Sequence, residues 1–269
     1  MDDSRVRVTV GDDGVAEVAM VRTDKMNALD SAMFQALLDA IETIRGDRRV
    51  RTVLLHGEGR AFCAGLDKAR FDEMGSGKTS GTLGDLIQRR HGAANGPQNV
   101  AWGWRQLPVP VVASVHGVAY GGGLQIALGA DIRIVHPAAR LSVLEIKWGL
   151  VPDMAGCVFL TELVRPDVAR ELTFTGREVS GVEAQAIGLA TRVSETPLED
   201  ARVLVARIAA ASPAAVRAGK RLLNAALPVD SGKVLLAESY EQTRLIGSAE
   251  QAEAVLAALE GRKGDYRPS

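Results

Sequence analysis

The sequence has few cysteines, few aromatic residues and almost no net charge. Its 269 residues include two cysteines, Cys63 and Cys157, and 4% aromatic residues, and the net charge is -1. Two cysteines provide neither a disulfide framework nor a metal-binding spacing, which predicts a reducing compartment. The balanced charge gives no basic excess for nucleic acid and no acidic excess that would favour disorder.

Long apolar runs are also missing. The longest are far too short to cross a bilayer, and the first residues, MDDSRVRVTVGDDG, are acidic and contain no apolar leader segment. We therefore expect a cytoplasmic protein that has no membrane partner. The 46% of hydrophobic residues is enough to bury a large core.

The order of apolar patterns predicts an α/β protein. A turn at Gly11 to Gly14 separates two β-rich runs, and a helix follows that begins at Asp30 or Ser31 and ends near Arg45. Strand, strand, helix units recur in the first half, and helical patterns dominate after Cys157. We expect a core over residues 1–195 and a helical region over 196–269. The predicted strands are Arg5–Val10, Val15–Val21, Val50–Leu55, Val111–Val115, Ile132–Val135 and Leu141–Val143.

Two short motifs partly match nucleotide-binding loops, but each lacks a glycine that the motif requires. Gly57-x-Gly59 has Phe62 where a dinucleotide fingerprint needs its third glycine. Gly77-Lys78-Thr79 resembles the end of a phosphate-binding loop, but Asp72 occupies a glycine position and no apolar strand precedes it. The irregular stretch 70–108 is better interpreted as a loop that covers a site.

Three segments rich in small residues each follow a predicted strand: 61–67, 117–123 and 145–153. All three can meet at one edge of a sheet. In the second segment, Gly121 to Gly123 lead into the helical run Leu124 to Leu128. Free N–H groups at such a helix start can hold a developing negative charge, although a tight packing turn explains the same glycines.

The motifs Gly59-x-Ala61-Phe62-Cys63-Ala64-Gly65-x-Asp67 and His116-Gly117-x-Ala119-x-Gly121-Gly122-Gly123, followed by Asp131-x-Arg133, resemble the enoyl-CoA hydratase/isomerase (crotonase) superfamily. The resemblance covers residues 5 to 262. It implies a crotonase (ClpP-like) spiral of strand-strand-helix units with a helical C-terminal tail. It also implies an acyl-CoA thioester as substrate, a homo-trimer or dimer of trimers, and no metal or redox cofactor. The C-terminal helices would make trimer contacts and cover the coenzyme A site.

The resemblance assigns roles to residues on two loops. The backbone N–H groups of Ala64 and Gly122 are expected to form the oxyanion hole that holds the enolate oxygen of the thioester. Residues of the loop after the second predicted strand, of the segment 61–67 and at Gly122 are expected to line the coenzyme A cleft. Lys25 is equally well explained as a solvated turn lysine. These binding residues are Lys25, Ala28, Ala64, Gly65, Leu66, Asp67 and Gly122.

Three polar residues decide the chemistry. Hydratases of this family use two glutamates, and Gln125 occupies the first position; its amide orients water or a carboxylate but accepts no proton. The second glutamate is Glu145, whose apolar surroundings predict burial and a raised pKa. Asp153 matches an aspartate of the dienoyl-CoA isomerases, where two carboxylates move protons between distant carbons. A helix cap near Ala155 is the alternative for Asp153.

The sequence therefore predicts an acyl-CoA isomerase in which Glu145 is the base and Asp153 its proton-transfer partner. Two alternatives stay open: a 2-enoyl-CoA hydratase in which Gln125 orients water for Glu145, and a catalytically weak acyl-CoA-binding protein. Cys63 has no basic partner in its motif and is interpreted as a packing residue. His116 is interpreted as a structural histidine.

Overall fold

A computed structural model describes residues 4–70, 86–226, 230–262 and 264. The stretch Gly77-Lys78-Thr79 and Asp72 lie outside these described residues, as do residues 71–85 of the expected covering loop.

Two β-sheets organise the described chain. A six-stranded sheet has the order β1-β2-β3-β4-β6-β9, and a three-stranded sheet has the order β5-β7-β8. All neighbours in the large sheet from β2 to β9 are parallel, whereas β1 forms the predicted antiparallel hairpin with β2. The strands are β1 (Val6–Val10), β2 (Val15–Met20), β3 (Thr52–Gly57), β4 (Val111–Val115), β5 (Val118–Tyr120), β6 (Ile132–Val135), β7 (Arg140–Ser142), β8 (Val179–Ser180) and β9 (Arg192–Val193).

The helices lie between and after these strands. The chain passes from β4 in the large sheet to β5 in the small sheet and then into a helix, which confirms the predicted α/β class and its strand-strand-helix unit. The helices are α1 (Ser31–Gly46), α2 (Gly96–Gln106), α3 (Gly122–Leu128), α4 (Gly156–Leu163), α5 (Pro166–Thr175), α6 (Gly181–Ile187), α7 (Pro197–Ala209), α8 (Pro213–Ala225), α9 (Ser231–Leu245) and α10 (Ala249–Glu260).

Helix α1 has the predicted cap and the predicted apolar stripe. The Asp30 carboxylate accepts a hydrogen bond from the Met33 backbone N–H at 2.7 Å, which satisfies one of the free donors of the first turn. Met33, Leu37 and Ile41 are fully buried, and their spacing places them on one face of the helix.

Helix α2 corrects the prediction of irregular structure between residues 70 and 108. Asn95 and Gln98 form a reciprocal capping box, and Pro97 occupies the first turn. Both signals are visible in the sequence Asn95-Gly-Pro-Gln98, but the surrounding small and polar residues concealed them. The helix packs into the core through Val100, Ala101 and Trp104.

The C-terminal helices pack on the sheet and on the loops at its edge. Ala201 and Val205 of α7 form a second apolar cluster with strand residues of the large sheet. Lys220 of α8 is buried, and its ammonium group donates to the Trp104 carbonyl and to the Asp131 carboxylate at 2.8 Å. Within the described ranges, none of the helices has the length and apolar character needed to span a membrane.

Candidate active site

A cavity of about 490 Å³ lies where the ends of several parallel strands meet the C-terminal helices. Its size is within the range of small-molecule sites. Two sides of the cavity have different chemistry: one presents backbone groups of the loops after β2 and β3 and of the start of α3, and the other presents acidic side chains. Lining residues include Lys25, Ala28, Ala64, Gly65, Leu66, Asp67, Gly122, Glu145, Asp153, Met154 and Gln242. All three predicted small-residue segments therefore reach one cavity.

The first side, which we call the backbone wall (residues 64–67 and 120–122), differs from the prediction in one donor. The Ala64 N–H donates to the Met26 carbonyl at 2.9 Å, so it is not available to a ligand. Leu66 pairs with Leu29 through the two peptide groups next to it, Leu29 N–H to Gly65 carbonyl and Asp67 N–H to Leu29 carbonyl. The Leu66 N–H itself points away from Leu29, because the peptide groups of an extended segment alternate in direction.

The free N–H groups of the backbone wall therefore belong to Leu66 and Gly122. Neither group has an acceptor within the described part of the chain, and both residues line the cavity. A side chain at Gly65 would meet the Tyr120 carbonyl at 2.5 Å, which shows how closely residues 65 and 120 approach each other. The prediction that Ala64 is a donor to the ligand is thus wrong. The N–H group of Gly122 is free, as its predicted role requires.

The remaining residues predicted to bind coenzyme A differ in their exposure. Lys25 is exposed and Ala28 is buried, and both line the cavity. The Asp67 carboxylate lies 2.6 Å from the Arg22 guanidinium and accepts from the Ala69 N–H, and these contacts hold its pKa below the usual range despite partial burial. Asp67 therefore fixes the loop to β2, in addition to lining the cavity.

Glu145 begins a 3-10 turn (Glu145–Trp148) and is only 8% exposed. Its Oε1 accepts from Gln125 Nε2 at 2.7 Å, and its Oε2 has no partner among the described residues. Burial raises the pKa of the Glu145 carboxyl to about 7. The carboxyl is thus poised to exchange a proton near neutral pH, as the apolar sequence around it predicted.

Gln125 lies on α3, and its amide has a defined orientation. Its Oε1 accepts from the backbone N–H groups of Met154 at 2.8 Å and Gly156 at 2.9 Å. Because the oxygen is engaged by two donors, the amide nitrogen must face Glu145. Gln125 therefore acts as a fixed hydrogen-bond donor to the carboxyl group and has no capacity to serve as a base.

Asp153 is 9% exposed and lines the same cavity. Burial is the main cause that raises its pKa to about 7, and the charge of Glu145 adds to it, while a hydrogen bond from Gln242 acts in the opposite direction. The helix-cap alternative is wrong: α4 begins after Ala155, which makes no side-chain cap. The N–H groups at its start are bound by Gln125 and Glu238.

Glu238 and Gln242 of α9 were missed by the sequence predictions. Glu238 is 4% exposed and accepts from the backbone of α4, and burial raises its pKa to about 8. The signal was present: Leu235, Glu238, Ser239 and Gln242 have the spacing of a buried helix face, and polar residues occupy three of these four positions.

Cys63 and His116 have structural roles. The Cys63 thiol is fully buried and donates to the Asn27 carbonyl at 3.1 Å, and burial raises its pKa to about 12, so no thiolate forms near neutral pH. His116 Nε2 lies 2.9 Å from the Gly59 carbonyl oxygen, to which it donates.

Comparisons with known proteins identify the family of the chain. Residues 11–268 match the family model of enoyl-CoA hydratase/isomerase. The chain is 32% identical to the short-chain-enoyl-CoA hydratase of Clostridium acetobutylicum, covering 93% of this chain and 92% of that one. It is 30% identical to the mitochondrial methylglutaconyl-CoA hydratase of Mus musculus, over 99% and 84% of the two chains.

A solved structure, that of an enoyl-CoA hydratase from Mycobacterium avium subsp. paratuberculosis, superposes with a TM-score of 0.83 at 26% identity and covers 98% of this chain and 99% of that one. The α/β fold therefore matches the crotonase structures. Taken with the family model, which matches nearly the whole sequence, the chain belongs to the enoyl-CoA hydratase/isomerase family of acyl-CoA enzymes.

Proposed function

We propose that this enzyme is an acyl-CoA isomerase that shifts a carbon–carbon double bond through a thioester enolate. The observation that carries the proposal is a pair of buried carboxyl groups, Glu145 and Asp153, whose pKa values are both raised to about 7 in one cavity. Moving a double bond requires a base and an acid on separated carbons, and two groups of similar pKa can exchange these roles.

A 3,5-dienoyl-CoA is the substrate class for which both groups are needed. The thioester oxygen lies between the N–H groups of Leu66 and Gly122, and the free Oε2 of Glu145 removes a proton from C2. The resulting electron pair forms the 2,3 double bond, the π pair of the 3,4 bond moves to form the 4,5 double bond, and the π pair of the 5,6 bond takes up a proton at C6. Asp153 delivers a proton to C6. A proton returned from Glu145 to Asp153 restores the enzyme, and no water is consumed.

Gln125 supports this reaction over water addition. Its amide holds Glu145 Oε1, so Oε2 is the carboxyl oxygen that has no hydrogen-bond partner among the described residues. An amide accepts no proton from water, so the second proton-accepting group that a hydratase of this family uses is missing from this position.

Hydration of a 2-enoyl-CoA is the second candidate. It is favoured by the Gln125–Glu145 hydrogen bond of 2.7 Å, because the second N–H of the same amide can hold a water beside the carboxyl. The named relatives with hydratase activity add to this candidate. The trimeric or hexameric assembly and the cytoplasmic location stay predictions from the sequence.

The test is to incubate the protein with a 3,5-dienoyl-CoA and, separately, with a 2-enoyl-CoA. We expect the absorbance of a conjugated dienoyl thioester to appear, and kcat to fall by about 10²–10⁴-fold in both Glu145→Gln and Asp153→Asn. Glu241→Gln and Asp167→Asn are matched controls, because both carboxylates are on exposed helix surfaces. Glu145→Gln and Asp153→Asn should melt at or above the temperature of the wild-type protein, and the two controls should melt within a few degrees of it.

Two outcomes contradict the proposal. Rapid incorporation of labelled water into a 3-hydroxyacyl product, with Asp153→Asn fully active, would identify a hydratase that uses Glu145 and Gln125. Tight binding of acyl-CoA without turnover of either substrate would identify an acyl-CoA-binding protein that has lost catalysis.

A further inference from the structure

The buried face of α9 is polar where a helix normally places apolar residues against a core. Leu235, Glu238, Ser239 and Gln242 are all buried on it. Buried polar side chains are retained only where they are hydrogen-bonded. Their partners therefore show what this helix does beyond packing.

Glu238 binds the backbone that follows Asp153. Its Oε2 accepts from the Ala155 N–H at 3.0 Å and its Oε1 from the Cys157 N–H at 3.0 Å. Gln98 of α2 donates to the same Oε2 at 3.2 Å, which orients the carboxyl group from a second helix. One side chain thus bridges both sides of the turn into α4.

The turn held by Glu238 is conformationally unusual. Ala155 has φ of +67°, in the left-handed region that residues with a Cβ rarely adopt. This residue sets the angle between the segment carrying Asp153 and α4. A conformation of this kind persists where surrounding contacts fix it, and the hydrogen bond to Glu238 is such a contact.

Gln242 binds the backbone that precedes Asp153, one helical turn further along α9. Its Oε1 accepts from the Val151 N–H at 3.1 Å, so its amide nitrogen is directed away from that backbone. The side chain also favours the charged form of the Asp153 carboxyl, because it acts against the rise in pKa that burial causes. The C-terminal helix thus contacts the segment on both sides of Asp153.

We propose that Glu238 and Gln242 are positioning residues that hold Asp153 at the far end of the acyl chain for proton transfer. The proposal rests on the isomerase function proposed above. The contacts at Val151, Ala155 and Cys157 form a clamp, by which we mean the hydrogen bonds of α9 to residues 151–157. The clamp makes the C-terminal helix part of the proton-transfer site.

Glu238→Gln tests the clamp with little change of volume. The amide keeps one acceptor oxygen, but its nitrogen meets a backbone N–H, so one of the two bonds to the turn is lost. Glu241→Gln is the matched control on the same helix, because that carboxylate is exposed and pairs with the exposed Arg244 at 3.7 Å.

Two reactions should be compared in each variant. Exchange of the C2 protons of a saturated acyl-CoA in D₂O requires Glu145 and the backbone wall, whereas isomerisation of a 3,5-dienoyl-CoA also requires Asp153. In Glu238→Gln we expect kcat for isomerisation to fall by about 10–100-fold, with KM and C2 exchange within about threefold of wild type. A purely structural role would change both reactions together.

Gln242→Met provides a second variant of similar volume that should fold even if Glu238→Gln does not, because it adds no charge at a buried position and removes the contact of the clamp only at Val151. The Val151 N–H loses its acceptor, and we expect the same selective loss of isomerisation. Equal loss of both reactions, or no loss of isomerisation, in the folded variants would overturn the clamp.

Amide hydrogen exchange separates failure of the clamp from failure of the isomerase proposal. Amides in residues 151–157 should exchange at least about tenfold faster in Glu238→Gln than in wild type or Glu241→Gln. If the wild-type protein isomerises no dienoyl-CoA, the proposed function fails, and this exchange rate alone decides the clamp. Unchanged exchange would then overturn it.

Discussion

The two walls of the cavity present different chemical groups, backbone N–H groups on one side and side-chain carboxyl groups on the other. The backbone wall offers N–H groups of Leu66 and Gly122, whose chemistry is the same for every amino acid. The opposite side, which we call the carboxyl wall (Glu145, Asp153 and the glutamines that contact them), offers side chains whose protonation depends on what surrounds them. A ligand reaches a backbone donor only where the side chains leave space, whereas the pKa of a carboxyl group depends on its burial and on its hydrogen-bond partners.

The difference is visible in how each wall is held. Peptide hydrogen bonds between Leu29 and residues 65 and 67 shape the backbone wall, so its supports are themselves backbone groups. Gln125 of α3 and Gln242 of α9 each use their amide oxygen to bind backbone, and the Gln125 amide nitrogen donates to the Glu145 carboxyl. Substitutions should therefore act sterically on the first wall and electrostatically on the second.

After the loss of kcat expected in Glu145→Gln and Asp153→Asn, the largest effect on catalysis is expected from filling the backbone wall at Gly122. A Cβ there would meet Met154 Sδ at 2.8 Å and Leu29 Cδ1 at 2.9 Å, and both are ends of flexible side chains. Gly122→Ala should therefore fold but lose about 10²–10³-fold in kcat/KM, as expected when one oxyanion donor is lost. Steady-state kinetics and a denaturation curve measure the two effects separately.

Gly123 is the matched control for Gly122. Its Cβ would collide with the Cys63 carbonyl oxygen, which is backbone and yields less readily than a side chain. Gly123→Ala should lower the free energy of unfolding by about 1–3 kcal/mol or more. A wild-type kcat/KM in Gly122→Ala would show that Gly122 does not contribute to an oxyanion hole.

A smaller effect is expected from the carboxyl wall, whose raised pKa values make the free energy of unfolding depend on pH. The pKa values of Glu145 and Asp153 are raised to about 7 in the folded protein from their ordinary values of 4.5 and 3.8. Between about pH 4 and pH 7 the folded state holds more protons than the unfolded state, so stability falls as the pH rises through this window. The penalty is complete above pH 7 and absent below about pH 4.

Glu145→Gln and Asp153→Asn remove this penalty. Each variant should be more stable than wild type by about 1–3 kcal/mol at pH 8, with no difference near pH 4, even though both lose activity. Urea unfolding at the two pH values measures the change. The two substitutions should not add, because the charge of Glu145 contributes to the raised pKa of Asp153. Equal stability at pH 8 would show that the carboxyls are not buried as described.

The smallest effect is expected at the cavity mouth, where Lys25 and Arg60 are exposed. Exposed cations contribute little each, so Lys25→Ala combined with Arg60→Ala should raise KM for an acyl-CoA about 3–10-fold with kcat unchanged. The KM of the wild-type enzyme should rise with salt more steeply than that of the variant. Lys233→Ala, an exposed lysine outside the cavity, is the matched control. An unchanged KM would return Lys25 to the interpretation as a solvated turn lysine.

Local patterns were sufficient for most of the fold. The α1 stripe, the hairpin and the parallel strands follow from apolar periodicity and caps, and all are present. Helix α2 was missed although Asn95 and Gln98 form a capping box, because the glycines and polar residues before it indicated a loop. Strand β5 is only three residues long and is defined by its pairing with β7, which a local pattern does not contain.

The sequence by itself determined the family, the cavity-lining loops and the identities of Gln125, Glu145 and Asp153, because motif spacing is a property of the chain. Only the tertiary structure decided that the free donor is Leu66 and not Ala64, because this depends on which N–H group donates to the Met26 carbonyl. It also decided that Asp153 caps no helix. Glu238 comes from a helix distant in sequence, and hydrogen bonds between distant segments leave no local pattern beyond a polar residue on a buried face.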